Sequence, residues 1–271
     1  MKQRFTTFKQ RVGWGLLAGL GLGGCTVYVP MHNAAPAIRQ RGEGELAANW
    51  SLTTRFDLSA AYSPVAHVLV RGAVSGKFGG YNAADTASNA RGLLNRQYEL
   101  AAGTYWPLGR RWLVGGLLGY GRAFVQARYR GDGEYNLFRT TAPQHVFAGH
   151  YQTIFGEAYL TWRPTLGLSL SLASRFVRVD PAGVTDLGVP LSAARIWRYE
   201  PAFLARIQPG ESEELQIQVG AGLSDTFRYS SRTALDQDDP TRQFKLGRGY
   251  LLLGVTLSPR WRKSKSQPTS Q

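Results

Sequence analysis

The sequence predicts an all-β chain, a transmembrane antiparallel up-and-down β-barrel of about ten strands. Three observations predict it. Segments throughout the chain alternate apolar and polar residues with period two, and the connections between them alternate between short and long. The composition adds 32 glycines and 12% aromatics with only two methionines. Side chains of a strand point alternately to opposite faces, so such a pattern gives one apolar face, whereas a helix would scatter the same residues around its circumference. The length of 271 residues suits one large domain or two small ones. A hydrophobic content of 43% is too high for disorder. No apolar run reaches the roughly 20 residues of a spanning helix. The single Cys excludes intrachain disulfides and a multi-cysteine metal site.

Residues 1–24 read as a lipoprotein signal peptide. Lys2, Arg4, Lys9 and Arg11 form a positive region, and Val12 to Leu22 form an apolar stretch too short to span. Leu22-Gly23-Gly24-Cys25 resembles a bacterial lipobox, which implies that Cys25 becomes the first mature residue and carries acyl chains, palmitate among them. Removal of residues 1–24 leaves 28 basic against 18 acidic residues, a net charge of +10. Thr26 follows the Cys, and by resemblance to the proteobacterial sorting rule nothing retains the chain at the inner membrane. Residues 25–41, containing Pro30 and Pro36, are expected to be a lipid-anchored linker.

The barrel is expected over 42–258, with strands near 42–51, 54–63, 67–78, 94–106, 111–128, 149–163, 166–179, 194–208, 214–228 and 244–258. The clearest alternation runs through Leu215, Ile217, Val219, Ala221 and Leu223, through Leu166, Leu168, Leu170 and Leu172, and through Leu251, Leu253, Val255 and Leu257. Short connections fall at 63–66, 107–110, 163–165 and 209–213, and long ones around 79–93, 129–148, 180–193 and 229–243. Only the first outer connection, around Leu52 and Thr53, breaks the rule. Short turns at one end and long loops at the other are the layout of an outer-membrane barrel. An even strand number places both termini at the short-turn end, in keeping with a lipid anchor in the inner leaflet. Residues 259–271 form a basic tail.

The apolar face carries Trp50, Phe56, Tyr62, Tyr98, Trp106, Trp162, Trp197, Tyr199 and Phe203, many near strand ends as in interfacial girdles. The opposite face carries Glu43, Glu45, Asp57, Glu99, Glu157 and Glu200 with Arg71, Arg175, Arg198, Arg206 and Arg248, and Arg122 is placed with them. Mid-strand charges are costly unless paired or wet. About ten strands make a barrel narrow enough for side chains to fill, so a Glu/Arg network without a wide channel is expected, the alternative being a small polar pore. A soluble barrel would invert the faces, and the wide aliphatic bands argue for the membrane version.

Tyr28-Val29-Pro30, Asn33, Pro36, Gly42-Glu43-Gly44-Glu45 and Phe56 to Ser63 resemble the uncharacterised lipoproteins and outer-membrane β-barrel proteins of Bacteroidota. The motif match covers roughly the first 40 mature residues, and the rest matches in pattern only. The resemblance implies a barrel and no known activity. The chain departs from it in lacking a terminal aromatic and in its tail, with Arg260, Arg262, Lys263 and Lys265.

No catalysis, cofactor or metal is expected. None of His32, His67, His145 and His150 has metal-site spacing. His145 and His150, in sequence near Asp132 and Glu134, carry the enzyme alternative, a barrel hydrolase like the omptins; otherwise they are plain loop histidines. Gly119-Tyr120-Gly121 and Gly247-Arg248-Gly249 lie in predicted strands, where glycine relieves crowding or permits curvature and does not cradle an anion. Arg128, Tyr129, Arg130, Tyr135, Phe138 and Arg139 offer a surface for an anionic glycan, and Asp236 to Asp239 one for a divalent cation, or both are simply solvated. The expected partners are outer-membrane lipids and lipopolysaccharide, and export removes nucleic acid as a partner. The expected role is structural or surface-binding through the long loops. A periplasmic lipoprotein with a soluble ligand-binding barrel is the other alternative.

Overall fold

The structure, a computed structural model, describes residues 27–51, 55–77, 92–130, 135–136, 139–140, 144–165, 167–210, 214–227 and 244–259. The strands are β1 (Gly44–Ser51), β2 (Arg55–Tyr62), β3 (Val68–Lys77), β4 (Gly92–Leu108), β5 (Trp112–Arg130), β6 (Tyr135–Asn136), β7 (Arg139–Thr140), β8 (Gln144–Thr165), β9 (Leu168–Asp186), β10 (Val189–Pro190), β11 (Ile196–Ile207), β12 (Leu215–Thr226) and β13 (Arg248–Leu257). Ten of them form a closed antiparallel ring in the order β1-β2-β3-β4-β5-β8-β9-β11-β12-β13, and β13 pairs back onto β1 with Leu46 opposite Leu257. Closure leaves the ring without an open edge, so each of its ten strands has a neighbour on both sides within the wall. β6 and β7 form a separate small ribbon in the β5–β8 connection.

The strands lie where the alternation places them, with two extensions and one shortening: the strand expected from 244 begins at Arg248, because Phe244 to Gly247 turn inward and give the Phe244 and Leu246 carbonyls to Arg198. β8 begins at Gln144 and β9 continues to Asp186, so their paired ends rise past the other strands. The connection expected around 180–193 is therefore largely a hairpin. Leu187 (φ 50°) and Gly188 (φ 82°) make its tight reversal into β10. Two successive left-handed residues match the right-handed twist of the flanking strands, as in a type I′ turn.

The wall has an apolar outside. Tyr62, Trp106, Trp112 and Trp162 stand exposed near the short turns, with Trp112 and Trp162 stacked across strands at 5.9 Å. Trp50, Phe56, Phe176, Trp197, Tyr199 and Phe227 stand exposed toward the long-loop end, and Leu58, Val74, Leu100, Leu118, Leu172, Phe203 and Leu253 fill the band between. Charged residues are buried inside and large apolar ones exposed outside, the reverse of a soluble barrel and the arrangement of a transmembrane one.

Two expectations are corrected by the faces. Arg122 is exposed on the outside of β5, because the inward positions of that strand are odd-numbered, from Leu113 to Ala127. Residues 27–41, expected as a linker, run inside the barrel: Val27, Tyr28, Val29, Met31, Ala35 and Ile38 are all at most 2% exposed. The segment packs on an inward-facing cluster at each end. One is at the long-loop end (Val125, Phe147, Val179, Ile196 and Phe244) and the other at the short-turn end (Leu69, Tyr105, Leu113 and Leu204). At its foot the chain must reverse into β1, and Gly42 supplies the left-handed residue (φ 82°), its N–H donating to the Ser63 carbonyl at 2.8 Å.

Candidate functional site: a barrel lumen filled by the N-terminal segment

An extended segment inside a barrel has no strand to pair with, so its backbone must find side chains of the wall. It does so along its whole length. The Val29 carbonyl accepts from Gln97 Nε2 (3.3 Å) and the Tyr151 hydroxyl (3.5 Å), the Pro30 carbonyl from Arg55, and the His32 carbonyl from Arg71 (3.3 Å). The N–H groups of Ala34 and Ala37 donate to Glu157 (3.0 Å) and Glu45 (2.7 Å), and those of Arg39 and Gln40 both reach Glu43 Oε2, at 2.6 and 3.2 Å. Pro30 and Pro36 bring no N–H, which leaves two fewer donors to satisfy.

The wall's charges sit in tiers around the segment. Near the long-loop end, Arg198 spends its donors on Ser224, Thr226 and the carbonyls of Phe244 (2.7 Å) and Leu246 (2.9 Å), fastening the chain that leads into β13. Its guanidinium also lies 4.6 Å over the Tyr28 ring. Below it, Glu200 accepts from the Tyr28 and Ser224 hydroxyls, both at 2.8 Å. Arg175 grips Glu99 with both terminal nitrogens, reaches Glu200 at 3.7 Å and stacks on Phe155 at 3.7 Å. At mid-height Asp57 pairs with Arg55 (2.7 Å) and with His32 Nδ1, and Arg71 faces Glu157 at 3.6 Å. Toward the short turns Arg206 makes a two-pronged pair with Glu45, both contacts at 3.2 Å, and donates to Gln218 (2.7 Å).

Of the residues singled out in the sequence, Glu45, Asp57, Glu99, Glu157, Glu200, Arg71, Arg175, Arg198 and Arg206 are buried in the lumen. Glu43 and Arg248 stand half-buried at strand starts, Glu43 holding the foot of the segment. Arg55 was missed, though it shares the parity of Asp57 two residues on. Tyr28, Asn33 and His32 were also missed as site residues. Asn33 donates to the Glu200 carbonyl at 2.6 Å, and His32 lies against Tyr250 with ring centroids 4.7 Å apart. A stretch from Val27 to Ile38 with no Asp, Glu, Lys or Arg was the available signal.

The catalytic alternative is not assembled among the described residues. His150 stands half-buried on the outer wall opposite Phe124, its ring against Gly183. The His145 side chain, Asp132, Glu134, Phe138, Asp236 to Asp239, Cys25 and the basic tail beyond Pro259 lie outside the described residues. Among the described residues no cluster of three or more His, Cys, Asp or Glu could hold a metal ion.

A second feature lies on the outer wall. Arg96, Tyr98, Arg122, Phe124 and His150 border one shallow concavity, with Tyr98 opposite Arg122 and Phe124 between Arg96 and His150. Arg122 is ten residues along β5 from Trp112. At ~3.3 Å per residue and a tilt of ~40° that is ~25 Å, the height of a barrel's apolar band, so both arginines sit at its upper edge.

No protein-family model matches the chain, and no curated protein matches it. Solved structures similar to it include three barrels. The translocator domain of the autotransporter NalP from Neisseria meningitidis is 11% identical over 93% of this chain and 95% of its own, with a TM-score of 0.44. The outer membrane protease OmpT from Escherichia coli is 10% identical over 81% and 94%, with a TM-score of 0.45. The NanC porin is 9% identical over 79% and 98%, with a TM-score of 0.36.

Proposed function

We propose that this protein is a lipid-anchored outer-membrane barrel with a structural or surface-binding role, whose working surface is the long-loop end and the outer wall beneath it. The observation that carries the reading is the filled lumen: the N-terminal segment and the five carboxylates and five arginines of the wall around it are buried from solvent. That argues against a channel and leaves the outside of the barrel for partners. The concavity with Arg96 and Arg122 at the upper edge of the apolar band fits the phosphates of an anionic outer-leaflet lipid such as lipopolysaccharide. Cys25 supplies the anchor.

The test is fractionation of wild type and Cys25→Ala, with gel mobility compared before and after boiling. An integral barrel stays in the outer membrane without its lipid and shifts on heating. Release of Cys25→Ala as a soluble protein would overturn the reading. Lipid phosphate retained by the purified barrel is expected to fall in Arg96→Ala/Arg122→Ala, and unchanged retention would remove the lipid site.

A further inference from the structure

The direction of the lumenal segment has a consequence for where the chain begins. We infer that the mature N-terminus threads the barrel from the loop side. Cys25 and its lipid then lie on the outer, long-loop side of the membrane, while β1 starts on the short-turn side. This rests on the lipid-anchor reading for the chain's beginning at Cys25 and for what Cys25 carries.

The contacts descend the wall in order. β8 runs from the long-loop end to the short turns, and the segment follows it downward. Tyr28 lies against Tyr151 with ring centroids 5.4 Å apart, the Ala34 N–H meets Glu157, and the Ala37 carbonyl meets Arg163 at 3.3 Å. The six-residue step from Tyr28 to Ala34 matches the six-residue step from Tyr151 to Glu157, as two extended chains running the same way would. Arg39 completes the descent, donating to the carbonyls of Gly109 (2.6 Å) and Trp112 (3.2 Å) in a short turn.

The top is gripped as firmly as the foot. Val27 is fully buried in the cluster that Phe147, Ile196 and Phe244 form at the ends of the long connections. Phe244 is held there by Arg198 and packs edge-on against Phe147 at 5.2 Å.

Chain length decides the rest. Cys25 is two residue steps before Val27, a span of at most ~7 Å. A return to the short-turn end would repeat the path from Val27 to Arg39, a further twelve residues or ~40 Å. Long loops of outer-membrane barrels face the exterior. The barrel thus carries its own N-terminus across the membrane, and the anchor belongs to the outer face and not the inner leaflet.

The experiment labels single cysteines on intact cells with a membrane-impermeant maleimide. Thr26→Cys probes the N-terminus, Ala194→Cys (exposed, between β10 and β11) marks the long-loop side, and Arg110→Cys marks a short turn. Heat-shifted mobility verifies that each variant is folded. Thr26→Cys is expected to label in intact cells as Ala194→Cys does, with Arg110→Cys labelled only after the outer membrane is permeabilised. Labelling of Thr26→Cys only together with Arg110→Cys would overturn the inference. Labelling of unsubstituted protein in intact cells would support the threading, because the thiol of Cys25 would be outside, and would instead overturn the lipid reading.

Discussion

Five carboxylates (Glu45, Asp57, Glu99, Glu157 and Glu200) and five guanidiniums (Arg55, Arg71, Arg175, Arg198 and Arg206) are buried among the described residues, so the lumen is balanced in charge. No lysine is among them. A planar, weakly hydrated guanidinium divides its donors among several acceptors at low desolvation cost, which a compact ammonium does poorly. Arg175 shows the consequence, serving Glu99, Glu200 and the Phe155 ring at once. Arg175→Met would leave two buried carboxylates facing each other without a counter-charge. Removing one partner of a buried pair costs about 3–5 kcal/mol. Urea unfolding of the reconstituted barrel should show a loss of that order, and Arg175→Met/Glu99→Gln should recover part of it because the two positions are coupled. A loss below about 1 kcal/mol in the single variant would mean that the pair is wet. Strand parity made most of these charges legible in the sequence. It failed at Arg122, whose strand is apolar on both faces and so offers no contrast from which to read parity.

At the scale of the element, the strands were legible because each wall residue meets either lipid or lumen, and period two survives whenever the two differ. What pattern alone concealed is that the lumen is aromatic as well as charged. Tyr105, Tyr151, Phe155, Tyr159 and Tyr250 all face inward, and three of them lie over glycines directly across the ladder. The pairs are Gly115 with Tyr159, Gly119 with Phe155, and Gly222 with Tyr250. A Cβ built at Gly115 would fall 2.2 Å from the Tyr159 ring, so the glycine is the space in which the ring lies. These glycines therefore serve as seats for large rings in a narrow barrel, consistent with the crowding role read for Gly119 from sequence. Gly115→Ala should displace the Tyr159 ring and destabilise the barrel by about 1–3 kcal/mol. Gly72→Ala, on the outer wall and 3.6 Å from Leu100, should change stability by less than about 0.5 kcal/mol. Equal effects in heat-shift assays of the two variants would remove the seating argument.

For the whole molecule the largest gap between sequence and structure is the lumenal segment. Alternation reports a residue with two different sides, but Val27 to Ile38 is surrounded by the wall, so nothing along it repeats. The neutral, proline-bearing composition read as a linker is also what a confined chain requires, since each charge or unused N–H would need a partner in a crowded interior. The same confinement makes the segment the seal. Its side chains, from Tyr28 under Arg198 to Ile38 beside Leu113, occupy the axis that ten strands would otherwise leave to water. Replacing Val27–Ile38 by a glycine-serine sequence of equal length keeps the covalent path but withdraws those side chains. Burial of each large apolar one is worth about 1.5–3 kcal/mol. The replaced barrel should lose its heat-shifted form at lower temperature and conduct ions in planar bilayers where the native protein is closed. Because five arginines and five carboxylates would then line the opening, its conductance should be weakly ion-selective. Conductance by the native protein equal to that of the replaced one would show that the segment does not seal the lumen, and would move the functional reading to a narrow pore.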